Sequence, residues 1–361
     1  MTSRRRALLL VAGLMGLMGL LPTVGAAEPV VTATIASRHL GAERGYRVQL
    51  PDSYAGSGQQ RYPLLLVLDG QQHFTTVANT ARFLAEQEEI PELVVVGLDA
   101  GKRVHDYTQT DWPQGWIGGG GAAKFKRFVA DELLPALGRS HRISDERLLL
   151  GHSAAGQFAL HLLSTEPTLF QSYLILSPSL YWDNRLPVRE LEAALKARDR
   201  LPAFIYVGED MAMGSVLTEQ LALRQVLADH APRGLDWHVV NYPRELHGSV
   251  LLQGTIDALR ARWYGFRVHP DEATFLAEMS SVNGTDTLAE RYATLARGGR
   301  SVPIPEPAFV AVAEAHLRRQ EPQAALALLR RGLAAYPNSE ELRALQTRAE
   351  KALSSQVPAK R

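Results

Sequence analysis

Leu148-Leu149-Leu150-Gly151-His152-Ser153-Ala154-Ala155-Gly156-Gln157-Phe158-Ala159-Leu160 reads as an apolar strand, a tight turn with a serine at its apex, and an amphipathic helix. A strand that turns sharply into a helix leaves room only for small side chains beside the serine. Gly151 relieves one side of the bend, and Ala155-Gly156 stands where a second glycine is usual. The arrangement is that of a nucleophile elbow. The helix behind it aims its first N–H groups and its positive dipole end at the space beside Ser153, where negative charge would develop.

Outward from this stretch, short apolar runs alternate with amphipathic segments. Residues 30–35 and 46–50 read as two antiparallel edge strands. Residues 64–68 (LLLVL), 93–98, 147–150, 172–176, 203–207 and 237–242 read as strands buried on both faces. Helical patterns cover 75–86, 122–137, 156–165, 217–229 and 250–263. This alternation predicts an α/β architecture, a mainly parallel sheet flanked by helices.

An elbow serine needs an acid and then a histidine later in the chain. His39, His230, His238, His269 and His316 lie away from any elbow, and His161, on the elbow helix, reads as core-facing. His247 follows the last strand and precedes the last helix of the sheet region, so it is the candidate base. The acid should follow strand 203–207, where the chain reads Gly208-Glu209-Asp210. Asp210 allows one more residue for turning, and Glu209 is the alternative. Its role would be to orient the imidazole and stabilise the imidazolium. The N–H of Ala154 is one candidate oxyanion donor. The second is expected from the loop after strand 64–68, at Gly70 or Gln71; His73, in the same loop, either lines the pocket or is structural.

Composition narrows the rest. The 361 residues are 46% hydrophobic, and 39 basic residues against 38 acidic give a formal charge of +1. That balance offers no basic surface for nucleic acid or anionic membrane. With no cysteine at all, disulfides, thiolate nucleophiles, cysteine metal sites and cysteine lipidation are excluded. The run Gly118-Gly119-Gly120-Gly121 lacks the lysine and hydroxyl residue of a phosphate loop. No metal or organic cofactor is expected.

Residues 1–27 have the pattern of an export signal: Arg4, Arg5 and Arg6, an apolar run over 7–21, Pro22, then small residues Gly25, Ala26 and Ala27. The apolar run is shorter than the roughly 20 residues that span a bilayer. The arginines also resemble a twin-arginine signal. The mature protein is therefore expected in the periplasm or outside the cell, with no stable membrane span. The expected division is a sheet domain over 28–268, a helical linker over 269–304, a helical appendage over 305–353 and a tail over 354–361. A glycine- and proline-rich hinge at 298–307 leads into the appendage, and 306–339 fits one tetratricopeptide-type repeat of about 34 residues. Such a unit packs on its neighbours or takes a protein partner.

Five separated motifs carry a family resemblance: Leu68-Asp69-Gly70 with Phe74; Arg103 with Asp106-Tyr107-Thr108; the elbow at Ser153; Ser177-Pro178-Ser179-Leu180-Tyr181-Trp182; and His247-Gly248-Ser249-Val250. Together, over about 31–266, they resemble the "putative esterase" family of α/β-hydrolases, above all its trilactone siderophore esterase-like branch. Gln109 departs from a proline common there, and Ala155 from the elbow glycine. The resemblance implies an α/β-hydrolase fold and a serine esterase acting on a small-molecule ester. Trp182, Tyr181 and Trp112 are then candidate cleft walls or packing residues. Arg103 would meet an anionic group of the substrate or pair with Asp106 or another acid. An acyltransferase on the same serine and a non-catalytic scaffold built on the repeat are the alternatives.

Overall fold

A computed structural model of the chain describes residues 30–115, 118–211, 215–295 and 302–356. The export segment expected at 1–27 lies outside the described residues, as do parts of the expected hinge and tail.

The chain opens with β1 (Val31–Ser37) and β2 (Ala42–Gln49), paired antiparallel. Then follow β3 (Tyr62–Leu68), α1 (Gly70–Glu86), β4 (Val94–Leu98) and the short α2 (Arg103–Tyr107). α3 (Ala122–Arg127) runs through a π-helical turn (Phe128–Leu133) into α4 (Leu134–Ser140). β5 (Ile143–His152) leads into α5 (Ala154–Thr165), and β6 (Ser172–Leu176) into α6 (Trp182–Lys196). β7 (Phe204–Glu209), α7 (Ser215–His230), β8 (Asp236–Asn241) and α8 (Val250–Arg262) complete the sheet region. Among the described residues these strands form one sheet ordered β1-β2-β4-β3-β5-β6-β7-β8, parallel from β4 onward. This is the expected α/β-hydrolase architecture.

Side chains alternate across a strand, so a run such as LLLVL feeds two cores at once. Leu65 and Val67 join Val95, Leu148 and Leu150 on the face covered by α1 and α8. Leu64, Leu66 and Leu68 join Val94, Val96 and Leu149 on the other face. The first of these cores continues through Trp263 and Phe266 into α9 (Pro270–Asn283), α10 (Thr287–Thr294), α11 (Glu306–Arg318), α12 (Pro322–Ala335) and α13 (Glu340–Gln356). Phe309, Val312, Ala313, Ala325 and Leu329 are buried there, and Leu317 and Leu333 partly so. Tyr292 OH donates to the Phe266 carbonyl (2.7 Å), and Asn338 Nδ2 to that of Gly56 (2.9 Å), so the helical region rests on the sheet region.

Two segments differ from expectation. The stretch 69–74, read as a loop, is the start of α1: Asp69 turns the chain in the left-handed region (φ 54°) and the helix begins at Gly70. A Cβ on Gly70 would sit 2.4 Å from the Gly97 carbonyl carbon, so this early start requires glycine. α6 was not read as a helix, because Pro187 and three left-handed residues, Asp183, Asn184 and Arg185, interrupt its pattern.

Candidate active site

Parallel strands that all point one way deliver their following loops to one edge of the sheet. Ser153 follows β5, Asp69 follows β3, Asp210 follows β7 and His247 lies beyond β8. Ser153 has φ 59° and ψ −121°, a conformation glycine favours and serine rarely takes. The bend brings helix and strand so close that a Cβ on Gly151 would meet the Ala155 carbonyl oxygen at 2.3 Å. At Gly156 an added Cβ would press on Pro178 at 3.2 Å. Glycine is therefore needed at 151 and favoured at 156, while Ala155 is accommodated as a buried residue. Two backbone bonds brace the apex: Ser153 N–H to the Leu176 carbonyl (2.9 Å) and Ser179 N–H to the Ser153 carbonyl (3.2 Å).

His247 Nδ1 lies 2.9 Å from Asp210 Oδ2. An ionised carboxylate can only accept, so Nδ1–H donates and Nε2 keeps its lone pair. The His247 ring is 58% exposed, whereas the Asp210 carboxylate is nearly buried. Asp210 N–H in turn donates to Ser177 Oγ (3.2 Å). Glu209 does not join this pair. Its side chain is buried and receives Arg224 Nη2 at 3.4 Å, and burial lifts its carboxyl to about 7. Of the two expected acids, the structure brings Asp210 to His247. The Ser153 hydroxyl does not cap its helix, and among the described residues it makes no hydrogen bond to His247.

His152, given no role from the sequence, lies beside this pair. Its ring lies 4.6 Å from that of His247, and its Nε2 is 2.6 Å from the His247 carbonyl oxygen. A carbonyl accepts, so Nε2 carries the proton. Burial, followed by the His247 charge, pulls the His152 pKa down to about 4, so the ring stays neutral above that. His73 stands edge-on to His152 at 5.4 Å, and burial lowers its pKa as well. The only sequence-level hint of His152 was its place beside the elbow serine.

Ala154 is the first residue of α5 and Gly70 and Gln71 the first two of α1. Their N–H groups have no partner within their helices. The Gln71 side chain is engaged elsewhere, its Oε1 accepting from Ala100 N–H (2.9 Å).

Arg103 is paired, and its partner is Asp69: Nε donates at 3.0 Å and Nη2 lies at 2.9 Å. Arg103 Nη2 also reaches the His152 carbonyl (3.3 Å). Asp106, the neighbour expected for it, instead takes Arg44 at 2.8 Å. Arg103 thus ties the end of β3 to the elbow. Trp182, weighed as a cleft wall or a packing residue, is 3% exposed; its Nε1 donates to Thr110 Oγ1 (3.1 Å), and Trp112 packs on it at 5.5 Å. Tyr181 is exposed, with its ring 6.4 Å from that of Trp112. Among the described residues no group of three or more acidic or histidine side chains is placed to hold a metal ion.

Residues 37–220 match the family model described as "Putative esterase". The chain belongs to this family. Ferri-bacillibactin esterase BesA of Bacillus subtilis is 28% identical over 236 residues, which span 58% of this chain and 80% of that one. Siderophore triacetylfusarinine C esterase of Aspergillus fumigatus is 29% identical over 154 residues, 39% of this chain and 52% of that one. The IroE-like serine hydrolase of Shewanella oneidensis shares the fold, with a TM-score of 0.70 at 24% identity over 89% of this chain and 99% of that one. The esterase is thus a carboxylic ester hydrolase of the α/β-hydrolase type. Among the described residues no helix of the esterase is long and apolar enough to cross a membrane.

Proposed function

We propose that the esterase cleaves its substrate through an acyl-enzyme on Ser153. Ser153 Oγ attacks the ester carbonyl carbon while His247 Nε2 takes the hydroxyl proton, and Asp210 holds the ring and stabilises the imidazolium. The oxyanion is stabilised by the N–H of Ala154 together with that of Gly70 or Gln71. His247 then passes its proton to the departing alkoxide, and water releases the acid by the same two steps in reverse. The observation that carries this reading is the 2.9 Å contact between His247 Nδ1 and Asp210 Oδ2 at the edge of the sheet that holds the elbow serine. Catalytic hydrogen bonds are often open in a free enzyme and tighten around substrate, which accommodates a Ser153 hydroxyl not bonded to His247.

The substrate we propose is a bulky siderophore ester, the class printed in the names of the two curated relatives. Exposed Tyr181 ends the 177–181 segment whose Ser179 N–H braces Ser153, on an edge where a large ester can lie. The esterase would work after export, directed by Arg4, Arg5, Arg6 and the apolar run behind them. Its organisation would be a catalytic domain over 28–268 and a helical appendage over 305–353, joined by 269–304.

The test pairs a fluorophosphonate label with a panel of short p-nitrophenyl esters, methyl ferulate and ferric trilactone siderophores. Label on Ser153 and a kcat/KM at least about tenfold higher for the trilactone are expected, the tenfold reflecting about 1.4 kcal/mol of added transition-state binding. An unlabelled Ser153 overturns the acyl-enzyme. Faster turnover of the short esters overturns the siderophore assignment.

A further inference from the structure

The edge of the sheet opposite Ser153 also holds a cavity. Tyr62 opens β3, Ile90, Glu92 and Leu93 lead into β4, and Gln49 ends the oppositely running β2. These meet the 303–307 segment and Tyr336 at the end of α12, enclosing about 270 Å³. Leu50, Ile90, Phe266, Pro303, Pro305 and Tyr336 make most of the wall apolar.

Among the described residues, Glu92 and Gln60 are two of the acceptors in that wall with no cation paired to them. Glu92 accepts from Ser53 N–H (3.1 Å) and from the Ser53 hydroxyl, and burial holds its carboxyl above the usual carboxylate range. Among the described residues no lysine, arginine or histidine forms an ion pair with it. Gln60 donates from Nε2 to Tyr336 OH (3.3 Å), while its Oε1 is buried and has no hydrogen-bond partner among the described residues. The cavity's own cation, Arg82, is paired with Glu86 at 3.5 Å. Of the other carboxylates at the wall, Glu88 is taken by Arg267 at 3.7 Å, Glu306 accepts from Ser339 Oγ, and Asp52 adjoins Glu92.

We propose that this cavity is a second binding site, for a small organic ammonium compound with an aromatic or alicyclic body. An ammonium brings three donors and the charge that Glu92 lacks. The rings of Tyr62, Phe266 and Tyr336 border the space, and their faces attract a cation as their area covers an apolar body. The volume falls just under the span of about 300–1,000 Å³ common to small-molecule sites, which keeps the occupant small. Because the wall joins the sheet region to the helical region, an occupant would also bind the two together. A ligand that binds only the folded chain raises its stability.

Calorimetric titration of phenethylamine into the full chain tests this, with 3-phenylpropionate and ammonium chloride as the matched anion and the bare charge. One saturable site for phenethylamine and none for the other two are expected. Glu92→Gln keeps an acceptor for Ser53 and should weaken phenethylamine about tenfold or more, the loss of a charged hydrogen bond. Ile90→Trp fills the space and should abolish binding, while Ser153→Ala should bind like wild type. Thermal melting shows that each variant is folded. Absence of saturable binding in the millimolar range, or equal binding by wild type, Glu92→Gln and Ile90→Trp, overturns the site. Loss of binding in Ser153→Ala does so too, by moving the ligand to the ester site.

Discussion

Two polar clusters, one at each end of the parallel strands, are built in opposite ways. At the carboxyl ends, Asp69 and Ser153 hold left-handed backbone conformations, the Ser153 hydroxyl is left open, and His247 is more than half exposed. At the amino ends, Glu146 of β5 and Arg262 at the end of α8 are 1% exposed, 2.6 Å apart, with Arg262 Nε donating to Ser172 Oγ of β6 at 2.9 Å. The elbow cluster keeps its polar atoms strained and available; the Glu146–Arg262 cluster buries its charges in one ion pair, apart from the Glu92 cavity at the same end. Groups left open can act on a ligand, whereas groups paired in the interior can only hold the fold. Substitutions in the elbow cluster should therefore change rate far more than stability, and in the Glu146–Arg262 cluster stability far more than rate.

The sharpest break in that contrast is expected at Ser153. Ser153→Ala should lower p-nitrophenyl ester turnover by about 10⁴-fold or more, with the melting temperature nearly unchanged. Ser153→Gly should be as inactive yet more stable, by about 1 kcal/mol, because glycine accepts the backbone conformation that serine is forced into. Steady-state assays with thermal melting check both. A large loss of stability in Ser153→Ala would mean that the elbow serine holds the fold.

A smaller separation is expected between two adjacent carboxylates. Asp210→Asn removes the acceptor for His247 Nδ1–H and should cost about 10³–10⁴ in kcat. Glu209→Gln should leave kcat within about threefold, since Glu209 contacts Arg224 and not His247. Its effect belongs to stability. With its folded pKa raised to about 7 from an ordinary 4.5, the native state binds the extra proton between those values. Stability is then greatest below pH 4.5 and falls as pH rises toward 7. Glu209→Gln should flatten that fall in melting scans run from pH 5 to pH 8. Equal rate losses for the two variants would erase the distinction between them.

Much of this end of the molecule was legible in the chain. LLLVL and its companions are apolar on both faces, which only a doubly covered sheet accommodates, and Gly151-His152-Ser153 can be cramped only at a strand-to-helix bend. His247 followed from chain order. The choice between Glu209 and Asp210 did not, because it turns on which residue is last in β7: Glu209 keeps the strand's alternation and points into the packed interior, and Asp210 is the first free of it. Which acid Arg103 pairs with was illegible for a different reason. Asp106 is near in sequence, but the adjacency of β3 and β4 sets Asp69 beside it from 34 positions away. Asp69 itself, a left-handed residue opening a helix without capping it, hid the start of α1.

The sealed end offers the counter-test. Arg262→Met keeps an apolar stem but strands Glu146 without its cation in the interior, and should cost about 3–5 kcal/mol in urea unfolding. Ester turnover at temperatures where the variant is folded should stay within about twofold, since the pair lies at the far end of the strands from Ser153. Adding Glu146→Leu should restore much of the loss, because a desolvated ion pair and a well-packed apolar pair of like volume are close in free energy. The double variant then separates two meanings of the pair. Recovery says that matching, not charge, is what this buried pair requires. Failure to recover would show that Ser172 and the Leu295 carbonyl, which also receives Arg262 at 3.3 Å, depend on the guanidinium. In that case the pair is the clasp that joins α8 to the helical region, and its loss should loosen α10 before it loosens the sheet.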